Sequence, residues 1–300
     1  MALKDVLSTL KNEGYIIKKL DQYLLSLNDR DGDRRWDINS PSSASKCERA
    51  IVYSRLRYEP DANAVDARTR RIFDNGTDTH ERLQKYMLDE GMLKMDEVPV
   101  FLDKLQIQGH TDGLLELNKY ELGILEIKTI NTNGFSKLVD ARDDHKEQAL
   151  VYMVCLEERR KWLKDKFSTE KELMEYLVSE EYHTFIENHY KHMEGGNKFS
   201  RGDKLMFKYE QHMKADRLLW NTPRPINKMI FLYEDKNTQE LKEFTVKYVE
   251  ELWKDLEAKF EYINEYVANK EVPPRPEEAT SKSCSLCRWC SFKSTCFPGF

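Results

Sequence analysis

The 300-residue sequence predicts an α/β (α+β) fold in which a central sheet is flanked by helices, and three observations lead there. Between Glu97 and Ile130 the chain switches to short runs of β-formers separated by turn residues. Long stretches on both sides place apolar residues at helical spacing, and two further strand-like runs return between Met229 and Val246. Hydrophobic residues make up 40% of the chain, enough to build a real core around such a sheet.

The elements follow in order. Residues 1–46 form an N-terminal helical region, in which Leu3, Val6, Leu7 and Leu10, then Ile16, Ile17, Leu20, Leu24 and Leu25, mark two short helices broken near Gly14. Asp29, Asp31 and Asp33 alternate in the polar stretch beyond, but Gly32 falls inside the alternation and no glutamate closes it, which excludes a calcium loop. A first core segment spans 47–156. Glu48 to Leu56 and Ala67 to Asp89 read as helices. Glu97 to Leu102, Leu105 to Leu117 and Glu121 to Ile130 read as an antiparallel meander turning at Asp103-Lys104 and Asn118-Lys119, and helix resumes at Asp144 to Glu158. A highly charged helical insertion occupies 157–226 and ends at Pro223 and Pro225. The core returns over 227–272 as a hairpin, Met229 to Tyr233 and Leu241 to Val246 about Lys236-Asn237, followed by a helix from Val249 to Asn269. The prolines of Val272-Pro273-Pro274-Arg275-Pro276 forbid helix and open a linker and cysteine-rich segment, 273–300.

Composition narrows the function. A net charge of −5, from 48 basic and 53 acidic residues, excludes a protein that coats nucleic acid through bulk electrostatics, so any such contact is local. Mean hydropathy is −0.74 and no apolar run approaches the ~20 residues of a membrane span. The N-terminus shows neither a sustained apolar stretch nor a small-residue cleavage site, so the expected location is the cytoplasm. There, four cysteines (Cys284, Cys287, Cys290, Cys296) crowded near the C-terminus point to a metal site rather than to disulfides.

The chemistry gathers in the predicted strands. In Leu125-Glu126-Ile127-Lys128-Thr129, alternation puts Glu126 and Lys128 on one face, with Leu125, Ile127 and Thr129 on the other. Asp112, in Gly109-His110-Thr111-Asp112-Gly113, falls on the neighbouring strand, within reach of Glu126 for a shared divalent ion. Hard oxygen ligands of this kind suit Mg²⁺ or Mn²⁺ together with substrate phosphate. Two carboxylates holding such an ion beside an ammonium suit in-line phosphodiester hydrolysis. A lone E-x-K is more often an exposed ion pair, so its company decides: Gly76-Thr77-Asp78-Thr79-His80 precedes it, and Gln148 and Tyr152 follow at i and i+4 on a predicted helix.

G-x-x-x-H, G-x-x-D-G, E-x-K and Q-x-x-x-Y, in that order, resemble the RecB-like branch of the PD-(D/E)XK nucleases, from about Cys47 to Tyr152 and again from about Met229 to the C-terminus. The resemblance implies a restriction-endonuclease-like core with a central mixed sheet flanked by helices. It makes His80 a metal ligand with Asp112 and Glu126, adds Ile127 to that ligand set, makes Lys128 the catalytic lysine, and leaves Gln148 and Tyr152 to support the site or touch the DNA backbone. The chain departs from the family at Thr111, where a proline commonly precedes the acidic residue.

Cys287, Cys290 and Cys296, joined by the remote Cys47, resemble the quartet that holds a [4Fe-4S] cluster in iron-sulfur nucleases of the AddB type and in CRISPR-associated adaptation nucleases. Four thiolates also suit tetrahedral Zn²⁺, and Cys284 offers an alternative register through a second C-x-x-C. The cluster is expected to be a structural staple, and Cys155, in an apolar segment, a core thiol.

Three basic groups are candidate DNA contacts: Arg68, Arg70 and Arg71; Arg159, Arg160, Lys161, Lys164 and Lys166; and Lys198, Arg201, Lys204 and Lys208. Trp162, Phe199, Phe207, Tyr209 and Trp220 interleave with the last two, as a single-strand stacking groove requires. The expected activity is that of an exonuclease or end-processing nuclease on single-stranded DNA or DNA with free ends, in recombination, repair or replication, and the resemblance extends to phage-encoded enzymes. No G-x-x-x-x-G-K-[ST] loop occurs, so the chain is not expected to unwind duplex itself and works either alone on exposed ends or with a separate helicase or recombinase. A structure-selective endonuclease, a CRISPR-adaptation-like nuclease and a catalytically silent iron-sulfur DNA-binding module stay open as alternatives.

Overall fold

The computed structural model describes residues 15–27, 35–61, 65–192 and 200–298. The helix expected over Leu3 to Leu10, the Asp29 to Asp33 stretch, Lys198 and Phe199 lie outside them.

Helix α1 (Tyr15–Ser26) leads through a 3₁₀ turn at Pro41–Ser43 to α2 (Glu48–Arg55) and the long α3 (Ala67–Asp89). Asp66 caps α3 by accepting the Thr69 backbone N–H at 2.6 Å. Strands β1 (Leu93–Leu102), β2 (Ile107–Asn118) and β3 (Glu121–Ile130) follow as the expected antiparallel meander. Helices α4 (Thr132–Lys137), α5 (Asp143–Lys166), α6 (Glu170–Leu177), α7 (Glu180–His189) and α8 (Arg201–Asn221) then cross to β4 (Lys228–Asp235), which pairs parallel with β3. The hairpin strand β5 (Leu241–Lys247) lies at the far edge, and α9 (Glu250–Asn269) and the short α10 (Lys293–Cys296) complete the chain. Strand order is β1-β2-β3-β4-β5, a mixed sheet with one parallel junction.

Helices cover both faces. On one side Leu83 of α3 packs with Leu93, Leu115, Leu125, Ile127 and Ile230. On the other, Ile124, Met229, Phe231 and Tyr233 join a larger core with Ala149, Val151 and Tyr152 of α5 and Trp253, Leu256, Phe260 and Ile263 of α9. Leu173, Tyr182, Ile186, Tyr209 and Leu219 of the charged helices belong to this same core. Glu126, on the strand parity of Ile124, therefore faces α5, whereas Leu125 and Ile127 face α3.

Several boundaries differ from the sequence reading. Strand β1 starts at Leu93 rather than Glu97, since Leu93 and Met95 already alternate inward and Glu97 itself sits at φ 46°, a kink within the strand. Residues 103–105 form a 3₁₀ turn closed by Gln106 at φ 53°, so β2 begins at Ile107. Helix α5 continues to Lys166, its acidic first turn (Asp143, Asp144) and basic last turn (Lys164, Lys166) matching the helix dipole.

Candidate functional site: a carboxylate and lysine cluster where two strands part

The β2–β3 ladder begins at Gly113↔Leu125 and runs away from the site. Beyond that pair side chains take over the bridging. Thr111 Oγ1 donates to the Leu125 carbonyl at 2.8 Å, and the Asp112 carboxylate accepts the Ile127 N–H at 2.5 Å. The strands thus part just where the two acidic residues stand, and two of the backbone groups on β3, the Leu125 carbonyl and the Ile127 N–H, are paired by side chains there. A proline at 111 has no hydroxyl to make the first of these bonds, which gives Thr111 a local purpose. Gly113 is required by close approach, because a Cβ there would lie 2.7 Å from the Met95 carbonyl oxygen.

Glu126 is 4% exposed. Its Oε1 accepts from Lys128 Nζ at 2.6 Å and from Gln148 Nε2 at 3.0 Å, while Oε2 is buried with no partner among the described residues. Burial, reinforced by the Asp112 charge and opposed by Lys128, pushes the Glu126 carboxyl up to about 7. Lys128 Nζ also donates to Gln148 Oε1 at 3.2 Å. Gln148 Nε2 reaches Tyr152 Oη at 3.0 Å, and Tyr152 Oη donates to the His110 carbonyl at 2.7 Å. The i, i+4 pair on α5 therefore ties the E-x-K strand to the strand of Asp112.

From the opposite face, His80 of α3 brings Nδ1 to 3.3 Å from Asp112 Oδ1. Burial works against a charge on His80, but the bond to Asp112 and the charges of Asp112 and Glu126 outweigh it and raise its pKa. His80, Asp112, Glu126, Lys128, Gln148 and Tyr152 thus form one connected cluster, with Ile127 present through its backbone. The arginines do not join it. Arg68, Arg70 and Arg71 sit nine to twelve residues up the helix from His80, roughly 14 to 18 Å along its axis, and Arg71 pairs with Asp21 of α1 at 2.5 Å.

A family model described as the PD-(D/E)XK nuclease superfamily matches residues 37–297, well over half of the chain. The chain belongs to that superfamily. Members typically use Mg²⁺ or Mn²⁺ to hydrolyse phosphodiester bonds, and the donor set here, two carboxylates of which one has a bare buried oxygen, fits a hard divalent ion. No curated protein matches the sequence. The solved structure titled "Crystal structure of SSO0001" superposes with a TM-score of 0.43 at 14% identity, covering 95% of this chain and 97% of its own. No helix among the described residues of this nuclease is long and apolar enough to cross a membrane.

In this nuclease Cys47, Cys287, Cys290 and Cys296 line one small pocket with Ala50, Tyr53, Ala279 and Phe297. Cys47 enters from the N-terminus of α2. Cys284 is not part of that lining and instead hydrogen-bonds Cys287. Burial pushes the Cys287 thiol up to about 12 and also raises Cys47 and Cys290. Four thiols around one apolar pocket are a chemically suitable donor set for a soft centre, which binds them as thiolates. Among the described residues no group of three or more His, Cys, Asp or Glu is drawn in to metal-coordination spacing. The cysteine segment is fastened beside α2: Asp61 N–H donates to the Ser291 carbonyl at 2.6 Å, Ser294 N–H donates to the Asp61 carboxylate at 3.1 Å, and Phe292 packs on Tyr53 at 5.6 Å between centroids. Cys155 is fully buried in the main core.

One acidic residue near the cluster had no signal in the sequence. Glu97 falls opposite Asp112, between the pairs Asp96↔Gly113 and Val98↔Thr111, and Gln84 of α3 bridges it to the Asp112 carbonyl, at 3.2 and 2.8 Å. Burial, with Asp112 adding to it, raises the Glu97 pKa. An isolated glutamate in a strand belongs to no motif, and only the β1–β2 register reveals where it lies.

Proposed function

We propose that this nuclease is a RecB-like, iron-sulfur member of its superfamily that hydrolyses DNA as an exonuclease or end-processing enzyme, acting on single strands or free ends. The observation that carries the hydrolytic part of the proposal is the buried, unpartnered Oε2 of Glu126 beside Asp112 and Lys128. Asp112 and Glu126, with His80 and the backbone of Ile127, would hold the ion. Such an ion, when bound, acidifies a water and stabilises charge on the phosphate. Lys128 keeps its ammonium beside the carboxylates through Gln148, and adds positive charge where the phosphate becomes more negative. Tyr152 and Gln148 are positioning residues that fix the distance between the two strands carrying the acids. Burial and the neighbouring helices keep bulk water from the Glu126 side of the cluster, which strengthens each of these interactions.

Cys47, Cys287, Cys290 and Cys296 are proposed as ligands of a [4Fe-4S] cluster, with Zn²⁺ the alternative, serving to hold the C-terminal segment on α2. The division into segments 1–46, 47–156, 157–226, 227–272 and 273–300 belongs to the same proposal, as do a cytoplasmic site of action, work beside a separate helicase or recombinase, and DNA contact by Arg68, Arg70 and Arg71.

The test uses purified protein with Mg²⁺ or Mn²⁺ on end-labelled linear and on circular single-stranded DNA, with Lys128→Ala as control. Stepwise loss of the linear strand, absent in Lys128→Ala, is the expected result. Cleavage of the circle overturns end dependence and favours the structure-selective reading. Equal inertness of wild type and Lys128→Ala favours a silent module. A brown protein carrying iron supports the cluster, and a colourless one with stoichiometric zinc refutes it.

A further inference from the structure

The basic residues of α8 do not share one environment. Arg201, Lys204 and Lys208 recur at i, i+3 and i+7, so they line one side of the helix over roughly 10 Å. Lys208, the innermost, is half-buried and meets β2: its Nζ lies 2.9 Å from His110 Nε2 and donates to Gln211 Oε1 at 3.0 Å. Against an ammonium, which can only donate, His110 Nε2 must be the acceptor. The ring centroids of Tyr190 and Phe207 each stand 5.8 Å from the ammonium.

Both hydrogen-bond acceptors are neutral. Other lysines of the molecule, such as Lys104, Lys146 and Lys228, are satisfied by carboxylates (Glu257, Asp140 and Glu121). The Glu97 charge acts on this ammonium without a hydrogen bond, so the half-buried group keeps part of a desolvation cost that an anion would offset. His110 stands two residues before Asp112 on the same strand face, about 7 Å along it, so the anion would sit one short step from the carboxylate cluster. Gln211 also links α8 to the Glu97 backbone carbonyl, at 3.4 Å, which fixes the helix against that wall.

We propose that Lys208, held by His110 and Gln211, is a positioning residue that binds a backbone phosphate of the substrate strand adjacent to the phosphate being cut, with Lys204 and Arg201 continuing the track outward along α8. This rests on the nuclease reading above, and it selects one residue from a basic stretch whose members look equivalent in sequence. Binding there is blind to the base and sets how the strand enters the site.

The experiment measures fluorescence anisotropy of a labelled single-stranded oligonucleotide, with Ca²⁺ in place of Mg²⁺, for wild type, Lys208→Met and Lys208→Arg across a salt series. Lys208→Met is expected to bind roughly tenfold more weakly and to lower the salt slope by about 0.7, while Lys208→Arg recovers most of both. A set of oligonucleotides, each with one phosphate replaced by a neutral methylphosphonate, adds a readout that a folding defect does not reproduce: one position costs wild type about tenfold and costs Lys208→Met nothing further. Wild-type affinity and slope in Lys208→Met, identical methylphosphonate profiles, or no binding by wild type overturns the inference. If wild type cleaves while Lys208→Met binds normally, only this inference fails; if Lys208 governs binding but no cleavage occurs, it is the nuclease reading that fails.

Discussion

Replacing Glu126 by glutamine is expected to abolish cleavage while making the metal-free protein more stable. The carboxyl's pKa is about 7 in the fold, against 4.5 for an ordinary glutamate. Raised in the folded state, it adds no penalty below pH 4.5, where both states are protonated. As pH rises from 4.5 to 7 the unfolded chain releases its proton and the folded chain retains it, so stability is lost across that window. At about 1.4 kcal/mol per unit, the metal-free protein at pH 8 carries a penalty of roughly 3 kcal/mol, shrinking to about 1 kcal/mol at pH 5. Glutamine keeps the bonds from Lys128 and Gln148 to its oxygen but leaves its amide without a partner, so the net gain is about 2 kcal/mol, or roughly 3 °C in melting temperature for a chain of this size. Thermal melts in EDTA at pH 8 and pH 5 should show Glu126→Gln ahead at the higher pH and close to wild type at the lower. Adding Mn²⁺ should then raise the wild-type melting temperature and leave the variant's unchanged, because only wild type offers the full ligand set. A variant less stable than wild type in EDTA at pH 8 would refute the reasoning, since Glu126 would then be a satisfied ion pair and not a site held ready for a cation.

Thr111→Val should lower stability by about 1 kcal/mol through the lost bond to the Leu125 carbonyl, and reduce cleavage more than melting, while Thr111→Ser keeps both; urea unfolding beside activity checks this, and equal activity in the valine variant counts against it. Burial, helped by Lys208, lowers His110 to about 4, and burial with nearby cations and histidines drives the fully buried His212 well down, so both stay neutral in the fold. Their contribution is fully present above pH 6.5 and is lost as pH falls toward 4, at up to about 1.4 kcal/mol per pH unit for each. Urea unfolding of Glu126→Gln, which lacks the opposing carboxylate, should show that slope between pH 6.5 and 5, and a flat profile would contradict it. Cys284→Ser should keep metal stoichiometry at wild-type level whereas Cys287→Ser loses it, as read by iron and zinc analysis; the reverse outcome would shift the ligand register by one cysteine.

The sequence makes some of this legible for clear reasons. Alternation alone puts Glu126 and Lys128 on one strand face, because a strand's period of two needs no knowledge of its neighbours. The i, i+4 pair Gln148 and Tyr152 is equally local. Other features depend on approach in space. Glu97 comes opposite Asp112 only through the β1–β2 register and its own positive φ, and neither leaves a trace in composition. Lys208 differs from Lys204 by where α8 meets β2, which helix propensity does not encode. The limits of β1 and α5 are not legible in the sequence, because a kinked strand and a charged helix weaken the hydrophobic period on which such boundaries depend.

The motif around Asp112 also gains a mechanical sense from the way β2 and β3 part. A strand can present a carboxylate at the point of parting only if the backbone groups it abandons find other partners. Thr111 and Asp112 supply those partners on the β3 side, and Gly113 lets β1 close in behind, its Cα backed by the Met95 carbonyl. The carboxylate that caps the Ile127 N–H through one oxygen turns the other toward His80. Asp112 is thus both the end of the ladder and the start of the site. Substitutions at Thr111 or Gly113 that shift the parting point should move the two acids apart even though neither residue touches substrate. That dependence explains why a short run of residue types around one aspartate carries so much of the signal: the same few bonds that end a β-ladder also set the spacing of the candidate metal ligands.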